Sequence, residues 1–303
     1  MNNGTQSIAM EATQVASESK FKYFVELTKP RITTMVLITV AVAAYVANPY
    51  STNWVALLHV VVGTFFIAAS GSAFNQYLER FTDFMMKRTA KRPLPSNHLT
   101  AREVTVFGAI TFGMGISYLV LQVNLLSALL GLATWILYVV FYTPMKVKTS
   151  WNTFVGAIAG ALPILMGAAG TLNSINLQSW LFFAVLFFWQ FPHFMAIAWM
   201  YRHDYRKGGL VMLTVTEETG RSSGWLAVWT AVIMYFVCVP LAFNMTGISR
   251  IVFIVASILL CSYYLFGSIQ YLQERNDQNA KKLLRISIIF LPLFMLFLGF
   301  CQG

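Results

Sequence analysis

The chain has 303 residues, of which 57% are hydrophobic, 15% aromatic and only 11% charged. Apolar runs of about twenty residues, separated by short polar breaks, indicate that a lipid bilayer surrounds most of the chain. This composition excludes a soluble globular domain, so the net charge of +10 must be explained in the context of a membrane.

Nine apolar segments follow one another, and each is long enough to cross the hydrocarbon core as a helix. Backbone groups in lipid must be hydrogen-bonded within their own segment, so we predict an all-α, polytopic membrane protein. The segments cover residues 32–48, 54–74, 104–122, 125–143, 152–171, 178–200, 224–244, 251–272 and 284–301. The division between the third and fourth segments rests on one polar break, residues 122–124.

The basic residues predict an orientation, because cytoplasmic loops of membrane proteins carry an excess of Lys and Arg. With the N-terminus inside, all of the 21 basic residues except Arg250 lie on the inner side. We therefore predict a cytoplasmic N-terminus and an outside C-terminus. The positive charge then reflects topology and phosphate chemistry, and no nucleic-acid partner is expected.

The first twenty residues are polar and include no Arg and no apolar stretch, unlike a transit or signal peptide. We expect residues 1–22 to form a flexible cytoplasmic tail and residues 23–303 to form a single transmembrane domain. The absence of both kinds of targeting pattern favours a bacterial inner membrane over an organelle.

Three polar residues mark the inner end of the second segment. Asn75, Glu79 and Asp83 are spaced four apart, which places their oxygens on one face of a helix. Hard cations such as Mg²⁺ prefer these oxygens and leave coordination positions for substrate phosphates, and the basic run at residues 87–92 can bind the remaining phosphate charge. The alternative is that the polar residues merely end a helix and the basic run contacts lipid headgroups.

Further charges lie on the same side. Asp204 follows the sixth segment together with Arg206 and Lys207, and Lys146 follows the fourth. Three basic loops that converge beside carboxylates fit a metal diphosphate better than headgroup contact. All eleven acidic residues lie at the inner face, which argues against an ion-coupled transporter with carboxylates in mid-membrane.

His193 is the histidine most deeply placed in an apolar segment, two to three turns from its cytoplasmic end and directly after Pro192. A neutral imidazole there could ligate haem iron or polarise a substrate. A hydrogen-bonded histidine that only packs in the core is the alternative, and the residues leave both readings open.

These motifs carry a family resemblance. The pattern NxxxERxxDxxMxRTxxRPLP at residues 75–95 resembles the signature of the protohaem IX farnesyltransferase branch of the UbiA-type intramembrane prenyltransferases. Segments 142–163, 191–194 and 204–213 agree with that branch in the same order. The resemblance covers roughly residues 25–300.

The resemblance implies nine helices around a central cavity, roofed by the loops after the second and sixth helices. It implies transfer of a farnesyl group from farnesyl diphosphate to the vinyl group of haem B, which gives haem O, and contacts with haem A synthase or oxidase assembly factors. It implies His193 as the haem-contacting residue and Mg²⁺ as cofactor. The implied metal-binding catalytic residues are Asn75, Glu79, Asp83 and Asp204, and the implied diphosphate-binding residues are Arg88, Arg92, Lys146, Arg206 and Lys207.

One motif departs from the superfamily pattern of two carboxylates four apart. Met200 and Gly208 flank Asp204 at those spacings, and His203 stands where many members have an acid. The sequence therefore leaves open whether one metal ion binds, or two with uneven affinity. A sibling enzyme that prenylates a quinone or chlorophyll precursor is the main alternative, because it would share the carboxylate ladder, and a transporter is the more remote one.

Overall fold

The structure, a computed structural model, describes residues 20–217 and 219–302. Within these ranges, nine helices are long and apolar enough to cross a membrane, which confirms the predicted all-α fold and the number and order of the segments. The nine helices are Pro30–Ala47 (α1), Trp54–Leu78 (α2), Ala101–Gln122 (α3), Leu125–Met145 (α4), Asn152–Leu172 (α5), Leu177–Met200 (α6), Arg221–Asn244 (α7), Gly247–Gln273 (α8) and Asp277–Gln302 (α9).

Several helices extend beyond their predicted ends into the polar face that the sequence predicts to be cytoplasmic, which we call the inner face. α2 continues to Leu78 rather than to residue 74, and α9 begins at Asp277 rather than at residue 284. Hydropathy falls at the first polar side chain, whereas the backbone hydrogen bonds continue as long as a partner is available. Of the predicted tail, residues 1–19 lie outside the described residues, and residues 20–22 belong to a helical stretch at 20–27.

The uncertain break between α3 and α4 is real, and Asn124 explains it. Its side-chain oxygen accepts a hydrogen bond from the backbone N–H of Ser127 at 2.8 Å, which caps the start of α4. Its side-chain nitrogen donates to the carbonyl of Ala169 on α5 at 2.7 Å. One residue therefore ends one crossing, begins the next and ties both to a third helix.

α5 is the most buried of the nine helices and packs closely on α1. A Cβ at Gly167 would meet the backbone carbonyl oxygen of Val40, so the two helix backbones approach each other directly. Small residues permit such close helix contacts in membranes, where dispersion and shape drive packing. This contact fixes α1 against α5.

The inner half of α4 is not a regular helix. Residues Ile136–Tyr142 form a π-helical turn before the last turn, Thr143–Met145. Such turns rotate the following side chains out of their regular positions and are frequent at functional sites. Here Thr143 reaches α2, because its hydroxyl accepts from the amide of Asn75 at 3.1 Å and donates to the carbonyl of Tyr138 at 2.8 Å.

Candidate active site

The polar ladder at the inner end of α2 is buried. Asn75, Glu79 and Asp83 are exposed by only 1%, 8% and 0% of their surface. α2 ends at Leu78, but the N–H of Glu79 donates to the carbonyl of Asn75 and the N–H of Asp83 to that of Glu79, at 2.9 and 2.7 Å. The helical repeat therefore continues into the short helix Arg80–Met85 and keeps the three side chains on one side.

Each member of the ladder bonds a basic side chain. Arg92 donates to both carboxylate oxygens of Asp83, at 2.8 and 2.6 Å, and its Nη1 lies 3.8 Å from Glu79 Oε2. Lys146 Nζ donates to Glu79 Oε1, and Lys29 Nζ to Asn75 Oδ1, each at 2.6 Å. We call these six residues the inner-face cluster: Lys29, Asn75, Glu79, Asp83, Arg92 and Lys146.

The cluster contains three basic side chains and two carboxylates, and burial makes one of the basic side chains easier to deprotonate. Burial, together with the neighbouring Arg92 charge, lowers the pKa of Lys29 to about 7. Burial also disfavours the charged form of Lys146, yet the Glu79 carboxylate raises the pKa of this ammonium above its ordinary value. For Glu79, burial is outweighed by Lys146 and Lys29, so the pKa of this carboxyl is lowered. Lys29 is therefore the cation that titrates near neutral pH.

Lys29 was not among the predicted site residues. It lies immediately before Pro30, at the N-cap of α1, with a left-handed φ of 51°. In the sequence it counts only as one of many inner-side basic residues. The one local signal is a Lys directly before the Pro that begins the first membrane helix, and such a signal says nothing about a contact with Asn75 46 residues away.

The loop after α6 meets the loop after α2. The backbone N–H of Arg88 donates to Asp204 Oδ2 at 3.2 Å, and the Arg88 guanidinium lies 4.7 Å from the centre of the Tyr201 ring. Beneath them, Met86 and Tyr205 belong to one buried apolar cluster. The structure thus brings together the two loops that the sequence predicts to close over a common site.

The loop after α4 joins the same assembly through backbone contacts. The carbonyl of Lys146 accepts from the N–H of Val211 at 2.7 Å, and the carbonyl of Val211 accepts from the side-chain amide of Asn152 at 2.9 Å. Since Lys146 also bonds Glu79, this residue connects all three inner loops.

The predicted residues do not all share one contact network. Within the described part of the chain, no hydrogen bond or ion pair joins Asp204 directly to Asn75, Glu79 or Asp83. Arg206 and Lys207 lie exposed in the last turn of the short helix Arg202–Lys207. These two basic residues are exposed, outside the buried cluster.

The donor set of the cluster suits Mg²⁺. This metal prefers carboxylate and amide oxygens and, when it binds with substrate phosphates, needs only one or two protein carboxylates. Asn75, Glu79 and Asp83 present such oxygens on one side, and Asp204 adds a carboxylate from the facing loop. Among residues 20–217 and 219–302, no three His, Cys, Asp or Glu side chains form a preassembled metal cage. Here the oxygens accept hydrogen bonds from basic groups, and these basic groups could instead bind a diphosphate.

His193 lies in a separate, neutral site between α6 and α9. Its Nδ1 is 2.8 Å from the hydroxyl oxygen of Ser287, and that hydroxyl donates its own hydrogen to the carbonyl of Leu284 at 2.7 Å. With the hydroxyl donating to Leu284, it accepts from His193 Nδ1–H, and in this tautomer Nε2 keeps a free lone pair. The ring of Trp189 stacks on the imidazole, with centroids 4.8 Å apart and planes inclined by 22°.

The partners of His193 have no counterpart in the sequence pattern. Ser287 is 94 residues away on α9, in a segment read only as apolar. Trp189 is one of many aromatic residues in the sequence, and its indole N–H donates to the carbonyl of Ser287 at 3.0 Å, one turn before His193. This geometry allows the imidazole to ligate a metal or to accept a proton through Nε2.

Comparison with known proteins places these features in context. The sequence profile of the UbiA prenyltransferase family matches residues 36–298. A protoheme IX farnesyltransferase from Solibacter usitatus is 39% identical over 279 residues, which cover 89% of this chain and 95% of the relative.

Solved structures share the fold. One described as a digeranylgeranylglyceryl phosphate synthase in membranes aligns with a TM-score of 0.77 at 17% identity, over 93% of this chain and 98% of the other. A UbiA homologue from Archaeoglobus fulgidus, bound to DMAPP and Mg²⁺, aligns with a TM-score of 0.67 at 15% identity, over 91% and 98% of the two chains.

Proposed function

The chain belongs to the UbiA prenyltransferase family, and from this premise we propose that it transfers a farnesyl group from farnesyl diphosphate to a vinyl group of haem B, giving haem O. The protein is an integral membrane prenyltransferase. The observation that carries the proposal is the inner-face cluster, in which two buried carboxylates and an amide stand among three basic side chains. The name of the Solibacter usitatus relative supports the choice of substrates.

Departure of diphosphate from the farnesyl chain requires stabilisation of the negative charge that accumulates on the leaving oxygens. Arg92, Lys146 and Lys29 are placed to bind these oxygens when they leave the carboxylates and the amide that they now contact. Arg88, at the junction of the two loops, would add a charge from the entrance. Arg206 and Lys207, which are exposed in the helix that carries Asp204, would attract the diphosphate before it is fully bound.

Mg²⁺ would be held by Asn75, Glu79, Asp83 and Asp204 and would supply further neutralisation of the diphosphate. The Mg²⁺ in the Archaeoglobus fulgidus homologue supports this assignment. A diphosphate carries more negative charge than one Mg²⁺ neutralises, and the surplus cation Lys29 offsets part of the difference. The carboxylates would then exchange their basic partners for the metal while those partners bind phosphate.

The acceptor would bind on the apolar side of the cluster. His193 would contact haem B through Nε2, the nitrogen that its hydrogen bond to Ser287 leaves free. Trp189 would hold the imidazole plane by stacking. The farnesyl carbon that loses diphosphate is electron-poor, and the vinyl group of the porphyrin edge is the electron-rich partner that it joins. Water would then add to the carbocation left beside the porphyrin and release a proton, which gives the hydroxyl group of haem O, while diphosphate leaves as the other product.

The charge distribution supports a place for the site on the cytoplasmic side of a bacterial inner membrane. All basic residues except Arg250 fall on the side that carries the cluster. Haem A synthase or oxidase assembly factors are the protein partners that would receive the product.

The test is an assay of purified protein in lipid nanodiscs with haem B, farnesyl diphosphate and Mg²⁺, with mass spectrometry of the extracted tetrapyrrole. We expect a product with the mass of haem O, and we expect none when Mg²⁺ is chelated. A parallel reaction replaces haem B by an aromatic quinone precursor. Prenylation of that acceptor in place of haem B would contradict the proposal.

A further inference from the structure

A groove lies between the inner ends of α8 and α9, away from the inner-face cluster. Its cavity volume is about 440 Å³. It is lined by Tyr263, Gln278, Lys281, Lys282, Arg285 and Ile289. Three of these six residues are basic and none is acidic, so the groove is a concave, positively charged surface.

The three basic residues repel one another. Lys281 and Arg285 are four apart on α9 and Lys282 and Arg285 are three apart, spacings at which like charges destabilise a helix. Among the described residues, none of the three forms an ion pair with a carboxylate, and Lys282 instead lies 4.9 Å from the centre of the Phe266 ring. An anion in the groove would relieve this repulsion.

Exposed apolar side chains continue from the groove along both helices. On each helix they recur at intervals of three or four residues, so each set forms a stripe on one face. The stripe of α9 comprises Ile289, Leu293, Leu296 and Phe300, and that of α8 comprises Phe266, Tyr263, Leu259 and Val255. A basic end followed by an apolar furrow complements a molecule with an anionic head and a hydrocarbon tail.

We propose that this groove binds an anionic phospholipid, with its phosphate among Lys281, Lys282 and Arg285 and its acyl chains along the two apolar stripes. Basic pockets between membrane helices on the cytoplasmic side are suited to such headgroups. The excess of inner-side basic residues alone would not require three of them to line one concavity. The bound lipid would fasten the first turns of α9 to α8, and its contact at Arg285 would lie two residues before Ser287.

The experiment is native mass spectrometry of the detergent-purified full chain, titrated with phosphatidylglycerol and, separately, with phosphatidylcholine. We expect one phosphatidylglycerol to be retained with at least about tenfold higher affinity than phosphatidylcholine. The triple variant K281A/K282A/R285A should lose this preference, with roughly 100-fold weaker binding of phosphatidylglycerol.

A matched triple variant, K22A/R102A/K148A, removes the same number and kinds of charge from exposed positions outside the groove and should bind the lipid like the wild type. The single variants Lys281→Gln and Arg285→Gln change exposed side chains and report on the groove if the triple variant does not fold; each should weaken binding several-fold. Equal retention of phosphatidylglycerol by all variants would overturn the proposal. Displacement of the lipid by inorganic phosphate at equal concentration would also overturn it, because the site would then be a simple anion site.

Discussion

The inner-face cluster and the His193 site are both polar islands in an apolar protein, but they are built in opposite ways. The cluster consists of two ion pairs and one Lys29–Asn75 hydrogen bond, contributed by the end of α2, the loops after α2 and α4, and the residue before α1. The His193 site relies on one neutral hydrogen bond and one stacked ring between two helices. Breaking a buried ion pair leaves an uncompensated charge, which costs about 3–5 kcal/mol, while a neutral hydrogen bond contributes about 1 kcal/mol. A charged ligand that replaces the lost partner removes that cost, so the ion pairs of the cluster can reorganise around such a ligand. The neutral site around His193 serves instead to orient one ring.

The largest expected effects come from the carboxylates. Asp83→Ala and Asp204→Ala should each reduce product formation at least about 100-fold, because each removes an oxygen ligand that holds the diphosphate through the metal. The two variants should differ in stability. Asp83→Ala leaves the Arg92 guanidinium without its ion-pair partner and should lower the free energy of unfolding by about 3 kcal/mol. Asp204→Ala removes one hydrogen bond from the backbone N–H of Arg88 and should lower the free energy of unfolding by about 1 kcal/mol. Mass spectrometry and thermal melting measure the two effects. Normal turnover by either variant would remove its metal role.

The next effect concerns the packing of the scaffold, away from both polar sites. Gly167→Ala should lower the free energy of unfolding by about 1–3 kcal/mol, because its Cβ would meet the carbonyl oxygen of Val40. Gly113→Ala is the control, since a Cβ there meets nothing within 4 Å, and it should leave stability unchanged or slightly raise it. Thermal melting in detergent compares the two. Equal stability of both variants would show that α1 and α5 are not in direct backbone contact.

Substitutions in the His193 site should weaken binding of haem B and leave binding of farnesyl diphosphate unchanged. His193→Ala should weaken haem B binding about 10–100-fold, and Ser287→Ala about tenfold, because the imidazole loses the partner that fixes its free nitrogen. Ser268→Ala is the matched control: it removes another fully buried hydroxyl that donates to a backbone carbonyl but does not contact His193. Haem and farnesyl diphosphate binding are measured separately by absorbance and calorimetry. Equal loss of both ligands in His193→Ala would indicate packing damage only.

The smallest effect is a dependence on pH that arises from Lys29. The folded protein loses this proton near pH 7, whereas the unfolded chain keeps it until near the ordinary value of 10.5, so substrate-free protein should gain stability as pH rises through that window. Binding of diphosphate with Mg²⁺ favours the charged amine, so binding at pH 8 should take up a proton. Calorimetry in buffers of different ionisation enthalpy measures this uptake, which Lys29→Met should abolish. Identical uptake by the variant would assign the proton to another group.

Sequence patterns predict charged sites better than neutral ones. The spacing of Asn75, Glu79 and Asp83 is recognisable in the sequence because four-residue repeats of oxygen ligands are rare in apolar segments, and the helical repeat that continues from α2 into Arg80–Met85 keeps the three side chains on one side. The role of Lys29 cannot be predicted from the sequence, because its contact with Asn75 depends on a left-handed turn before Pro30. The role of Ser287 cannot be predicted from the sequence, because a lone hydroxyl in an apolar helix has no periodicity that reveals its partner.

The same contrast applies to the fold. Hydropathy predicted nine helices in the right order but ended α2 and began α9 several residues too deep, since it could not follow backbone hydrogen bonds into polar sequence. The π-helical turn Ile136–Tyr142 also left no trace in composition, although it directs Thr143 toward Asn75.

The most direct test of the account is an experimental structure with Mg²⁺ and a non-hydrolysable farnesyl diphosphate analogue. We predict that the diphosphate lies against the inner end of α2, with Arg92, Lys146 and Lys29 on its oxygens and the metal on the oxygens of Asn75, Asp83 and Asp204. A diphosphate bound elsewhere, with the Asp83–Arg92 and Glu79–Lys146 pairs intact, would contradict the account.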